Sequence, residues 1–145
     1  MCLSSLTKTD KTITHGYKIF IQNQSGELIQ VLMPIHEDTR DPKTGKIKLT
    51  RQKRDMVPIG IWLKATRQRL MVNSVPLTIY YWSGFHFFET VGDVQHYQED
   101  HKFILNTNCW FGELVIKKIE VKEIVASGFQ DCIPCHVARY MRILC

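Results

Sequence analysis

"ELVIKKIEVKEIVASG", residues 113–128, decides the fold. Apolar side chains recur at Leu114, Ile116, Ile119, Val121 and Val125, with lysine and glutamate between them. Near-alternation of β-branched and charged residues over this length predicts a long, half-buried strand. The apolar phase slips at Lys117 and Lys118, which predicts a bulge or twist there. Downstream, "HVARYMRIL" (His136 to Leu144) alternates too, with Val137, Arg139, Met141 and Ile143 on one face, and reads as a terminal strand.

The link between those two segments, "DCIPCH" (131–136), spells C-x-x-C-H. Covalent haem attachment would use both thiols and the histidine, but Pro134 between the thiols favours a turn over the usual helix. Zinc would need four thiolate or imidazole ligands. Cys132, Cys135 and His136 supply part of such a set, and a second pair would come from Cys109, Cys2, Cys145 or the histidines His96 and His101. A redox C-x-x-C normally opens a helix, whereas strand-like sequence follows here. The expected reading is structural, with Pro134 turning the chain and Cys135 and His136 starting the last strand.

Upstream, "YKIFIQ" (Tyr17 to Gln22) and "LIQVLM" (Leu28 to Met33) flank "NQSGE" and predict a hairpin. "VPIGIWLKAT" (Val57 to Thr66) and "LTIYYWSGFHFFE" (Leu77 to Glu89) are β-rich, with Gly84 expected to split the second. Thr90 is a candidate N-cap with Asp93 three residues on, predicting a short helix over about 90–99. A helix of that length needs the sheet as a packing partner. The expected fold class is α+β: a strongly bent, mostly antiparallel sheet of five to seven strands with one short helix. One domain is expected over residues 1–145, with a flexible N-terminal arm (1–15).

Charge is unevenly placed. Residues 40–54, "RDPKTGKIKLTRQKR", hold seven bases (Arg40, Lys43, Lys46, Lys48, Arg51, Lys53, Arg54) beside one acid, Asp41. The whole chain carries a formal +5, so the remainder is close to neutral. This segment is expected as a projecting hairpin or loop and as the partner-binding element. Acidic protein surfaces and nucleic-acid phosphates are the candidate partners, and no aromatic lies within it for stacking bases. The aromatic-dense residues 80–98 form either a core strand feeding the helix or a ligand pocket lined by Tyr81, Trp82, His86 and Tyr97.

No apolar run approaches the roughly 18–20 residues needed to cross a bilayer, so no membrane role is expected. The opening lacks a basic n-region and an apolar h-region, and the five cysteines are expected as free thiols of a cytosolic protein. No nucleophile elbow, Walker loop or dinucleotide-binding glycine pattern is present. No cofactor is implied, and the residues specify no reaction.

The order "YKIF", "SGFHFFET", "GDVQHYQ", "LVIKKIEVKEIVASG" and "HVARYMRIL", with the opening "MCL", resembles a group of small phage-encoded proteins without assigned chemistry. The resemblance covers roughly residues 17–33 and 77–144. It implies a non-enzymatic accessory protein acting in the host cytosol by protein binding, as an assembly component or an inhibitor of a host factor. More distantly, "GFHFFETVGDVQHYQ" is similar to the strand–helix step of ADP-ribosyltransferases, G-F-Y-x-T-x-x-x-x-q-A. That likeness implies nucleotide binding or turnover, with a His or Arg on the first strand and a late catalytic Glu. Here Tyr17 and Lys18 occupy the first strand, His15 lies nearby, and Glu113, Glu120 and Glu123 are the unaligned glutamates.

Overall fold

A computed structural model describes residues 3–9, 12–30, 43, 56–65, 69–73, 78–102 and 112–145. Ten strands and one helix occur among them: β1 (Ser5–Thr7), β2 (His15–Gln22), β3 (Leu28–Gln30), β4 (Met56–Val57), β5 (Leu63–Lys64), β6 (Arg69–Asn73), β7 (Thr78–Trp82), β8 (Phe85–Phe87), α1 (Val91–Asp100), β9 (Glu113–Gln130) and β10 (Ile133–Ile143). Eight strands form one antiparallel sheet in the order β4-β3-β2-β9-β10-β5, with β1 added on β9 and β8 on β10, while β6 and β7 make a separate ribbon. The α+β reading therefore holds, with a sheet of eight strands rather than five to seven.

The long strand foreseen at 113–128 is the spine. One edge of β9 pairs with β10 from Ile119 to Gln130; the other carries β2 along Glu113–Glu120 and β1 along Ser127–Phe129. The sheet curls far enough that Phe88, just past β8, exchanges two backbone hydrogen bonds with Tyr17 of β2, at 2.7 and 2.9 Å. It stays open, a single bridge spanning the gap among the described residues.

Lys117 and Lys118 are no bulge. They stand in unbroken register against Lys18 and Tyr17. The apolar phase changes there because both faces of the strand are covered. Leu114 and Ile116 join a cluster with Ile19, Ile21, Phe88 and Tyr97, while Val115, Ile119 and Val121 join another with Phe20, Phe87 and Met141. The register shift lies instead opposite Val137/Ala138, where β9 steps from Ala126 to Ile124 and leaves Val125 as the extra residue. Glu123 beside it takes φ 54. Val137 and Ala138, consecutive on β10 and so facing opposite sides, enter different clusters, both fully buried.

Pro134 does not turn the chain. The β9–β10 loop is the two-residue pair Asp131–Cys132, both at positive φ (49 and 69), closed by Gln130 opposite Ile133. Two positive φ values suit the right-handed twist of a tight hairpin. Pro134 lies inside β10 opposite Phe129. Its missing N–H is tolerated because β8 joins that edge only from His136.

The described part of 57–66, up to Ala65, is likewise not one strand. Pro58 and Gly60, at φ 79, separate β4 from β5. Gly84 splits β7 from β8 as expected, and the reason is close approach: a Cβ there would strike the Ala138 carbonyl. Thr90 caps α1, its hydroxyl accepting from the Asp93 N–H at 3.1 Å. Val94 and Tyr97 are the residues α1 buries. The stretch expected as an N-terminal arm carries β1 and the buried Leu3.

Candidate functional site

Tyr81 and Trp82 are consecutive in an extended strand, so they point to opposite faces. Tyr81 is buried and Trp82 is about one-third exposed, with the Arg69 guanidinium 5.5 Å from its ring. The four expected pocket residues therefore divide. Tyr81, His86 and Tyr97 lie inward, and Trp82 turns outward.

The inward group is a closed knot. The Tyr81 hydroxyl accepts from the Leu3 N–H at 2.8 Å and meets His86 Nε2 at 3.0 Å. Burial, reinforced by the Lys18 ammonium, lowers His86 to about 3, so its imidazole is neutral. The hydroxyl proton is then the one shared with Nε2, and the ring also bonds to the Gly84 backbone. Lys18, also buried, donates from Nζ to the His86 carbonyl at 2.7 Å. Burial lowers it to about 8, with Cys135 acting in the opposite direction. The Cys135 thiol is pushed up to about 12 by burial, against the pull of Lys18, and its Sγ sits 3.8 Å from the His136 carbonyl. Tyr97 is pushed up to about 12 by burial and then by the Asp131 carboxylate; its ring stacks on His101 with centroids 4.1 Å apart. An amine lowered to about 8 has nucleophilic potential. Lys18, however, is only 6% exposed and already hydrogen-bonded.

An open concavity among the described residues lies elsewhere. A cleft of about 300 Å³ is lined by Gln95, Gln98, Glu99 and Lys102 of α1 and its C-terminal turn, with Leu114 opposite. None of the four expected pocket residues lines it.

A serine, a histidine and a carboxylate do line up across β9, β10 and the turn before α1. Ser127 Oγ lies 2.7 Å from His136 Nδ1, and His136 Nε2 is 3.4 Å from a Glu89 carboxylate oxygen. Nucleophilic catalysis would need the hydroxyl to reach a substrate, and Ser127 is 2% exposed. The contact orients a buried imidazole that packs against Phe87.

The C-x-x-C-H residues separate. Cys132 is exposed in the hairpin loop, Cys135 is buried, and His136 is held by Ser127 and Glu89. Among the described residues no group of three or more His, Cys, Asp or Glu side chains is placed to hold a metal ion. Of the transferase-like residues, Lys18 faces the interior. His15 and Glu120 stand opposite each other in the β2–β9 register, with Glu120 accepting from Arg142 at 2.7 Å. Glu123 lies 3.9 Å from Arg139, and Glu113 is exposed at the start of β9 opposite Gln22. Lys18 alone meets the Tyr81–His86 pair; His15 and the three glutamates are engaged elsewhere.

Of the seven basic residues at 40–54, Lys43 is an exposed turn residue, and Arg40, Lys46, Lys48, Arg51, Lys53 and Arg54 lie outside the described residues. The structure adds a charged surface that the sequence reading missed, on the outer face of β5, β10 and β9. Lys122 Nζ sits 3.9 Å from the centre of the Trp62 ring and the Arg142 guanidinium 4.8 Å from it; Lys64 Nζ is 5.9 Å from the Tyr140 ring. The alternation of 136–144 already put Tyr140 and Arg142 on one face. Their lysine and tryptophan neighbours come from strand register, which one segment's pattern does not contain.

Comparison with protein-family models, with curated proteins and with solved structures returns no match. No helix among the described residues is long and apolar enough to cross a membrane.

Proposed function

We propose that this chain is a non-enzymatic accessory protein of the phage type, working by binding an acidic protein partner. The observation that carries this reading is the fate of the aromatic segment. Two of its titratable groups, Tyr81 and His86, bond to each other and to backbone inside the core, where the His86 carbonyl also accepts from the Lys18 ammonium. With the most chemistry-rich stretch serving as structure, the working part is the surface. The concentrated charge of the 40–54 sequence, seven bases beside one acid, supplies the steering that favours an acidic partner.

Thermal shift against NAD, ADP-ribose and common nucleoside triphosphates separates this reading from nucleotide turnover. A ligand that binds the native state raises the melting temperature by mass action. The expected result is no shift with any of them. A saturable rise with NAD or ADP-ribose, lost on Tyr81→Phe or His86→Gln, overturns the proposal.

A further inference from the structure

The outer face of β5, β10 and β9 is built in rows. Lys64, Tyr140 and Lys122 stand opposite one another across the three strands, and Arg142, Glu120 and His15 form the next row across β10, β9 and β2. Lys118 follows two residues along β9 from Glu120, on the same face. Lys64, Lys118 and Lys122 are exposed, and Tyr140, Trp62 and Arg142 are half-buried. Four permanent cations thus meet one carboxylate, Glu120. Tyr140 is paired with a lysine on each neighbouring strand, the two lysine backbones being about 10 Å apart, two strand spacings.

From this arrangement we infer that the face is a binding platform for single-stranded nucleic acid, a function separate from the protein docking proposed above. Lysines flanking a ring supply phosphate contacts, and the ring offers a stacking surface that any unpaired base can use. Lys122 and Arg142 already rest on the Trp62 indole, so less of their freedom is lost when a phosphate arrives. A carboxylate-rich peptide would use the charges but gain nothing from two interleaved aromatics. A duplex would use the charges while hiding its base faces. The contacts involve phosphates and base faces, which DNA and RNA share, so both single strands bind alike.

Fluorescence anisotropy with labelled oligo(dT) and oligo(U) of about 20 nucleotides, and with a duplex of equal length, tests this between about 50 and 200 mM salt. Both single strands are expected to bind more tightly than the duplex, with affinity falling steeply as salt rises. Lys64→Gln and Lys122→Gln should each reduce the log–log salt slope by about 0.7. Tyr140→Ala should weaken binding roughly ten-fold at unchanged slope, with Tyr140→Phe close to wild type. The melting temperature of each variant is measured alongside, so that a folding defect is not read as lost binding, and Tyr140→Leu, which keeps apolar bulk without a ring, carries the stacking test if Tyr140→Ala unfolds. Binding that ignores salt, a duplex preferred to either single strand, or Lys64 and Lys122 variants indistinguishable from wild type would each overturn the platform. So would loss confined to an Arg51→Ala/Lys53→Ala/Arg54→Ala variant, which moves the contact to the basic segment. A poly-glutamate peptide captured through Lys64 and Lys122 where oligo(dT) is not would assign the face to the acidic protein partner instead.

Discussion

Lys18 sits in β2 with its ammonium enclosed by protein and one carbonyl as hydrogen-bond partner. Desolvation disfavours its charged form, so the folded chain releases that proton near pH 8 while the unfolded chain keeps it to about 10.5. Between those values the unfolded state binds more protons, and stability rises with pH by at most about 1.4 kcal/mol per unit. Cys135 works the other way. Its thiol ionises near 9 when unfolded and about 12 when folded, so above pH 9 it lowers stability as pH rises. Urea unfolding from pH 7 to 10 should therefore show the wild-type midpoint climbing between about 8 and 9, then levelling. Lys18→Met should remove the climb and leave a decline above 9. Parallel profiles for the two proteins would mean that Lys18 is not desolvated. None of this was legible in the sequence, where Lys18 reads as the polar partner of Tyr17 and Ile19 on an alternating strand. Its burial follows from the sheet curling β8 over β2, a contact between residues nearly seventy positions apart.

At the scale of elements, what the sequence revealed was what local chemistry controls. Thr90 announced α1 because a hydroxyl at an N-cap answers the Asp93 N–H, and β9 and β10 announced themselves by alternation. The bulge at Val125 and the loop at Asp131–Cys132 were hidden. Two positive φ angles normally select Asn and Gly, and Asp-Cys carries only half of that signal, while Pro134 nearby carries a stronger but misleading one. That loop is also a place where stability can be added. A non-glycine residue in the left-handed region costs roughly 1–2 kcal/mol, and Cys132 is exposed with its side chain in solvent. Asp131 is different, since its carboxylate holds His101 at the end of α1 at 2.7 Å and its N–H donates to Ser4. Cys132→Gly should raise the unfolding free energy by up to about 1 kcal/mol, part of the relief being offset by glycine's greater freedom when unfolded. Asp131→Gly should gain less or lose. A rise in urea midpoint at constant m would bear this out; a fall for Cys132→Gly would show that the turn is held by side-chain contacts rather than limited by strain.

For the molecule as a whole, β9 is the organiser: β10 follows it directly through a tight hairpin, while β1 and β2 come to its other edge from the opposite end of the sequence. This explains why the fold class and the local β2–β3 hairpin were legible and the long-range pairings were not: a class follows from periodicity, whereas register is settled by side chains that meet only after folding. It also explains the split candidate site, since Tyr81 and His86 lie five residues apart and meet in the core, while the cationic face needed three strands in register. The point where the chain's ends are fastened together is Gly128. A Cβ there would run into the Ser5 carbonyl, and beside it Ser4 donates its N–H to the Phe129 carbonyl at 2.8 Å. Gly128→Ala must push β1 off β9, which uncovers Leu3, 2% exposed in the native fold, and breaks its N–H contact to Tyr81. The β9–β10 pairing on the opposite edge should survive. Hydrogen exchange should accordingly show amides of Ser4 to Thr7 losing protection while those of Val137 to Ile143 keep theirs, with global stability lowered by about 1–3 kcal/mol. The freed edge of β9 is then an unpaired strand beside exposed apolar surface, so the variant should also self-associate at concentrations where the parent does not. Retained protection at Ser4 to Thr7 together with an unchanged melting temperature would show that β1 contributes nothing to closing the sheet.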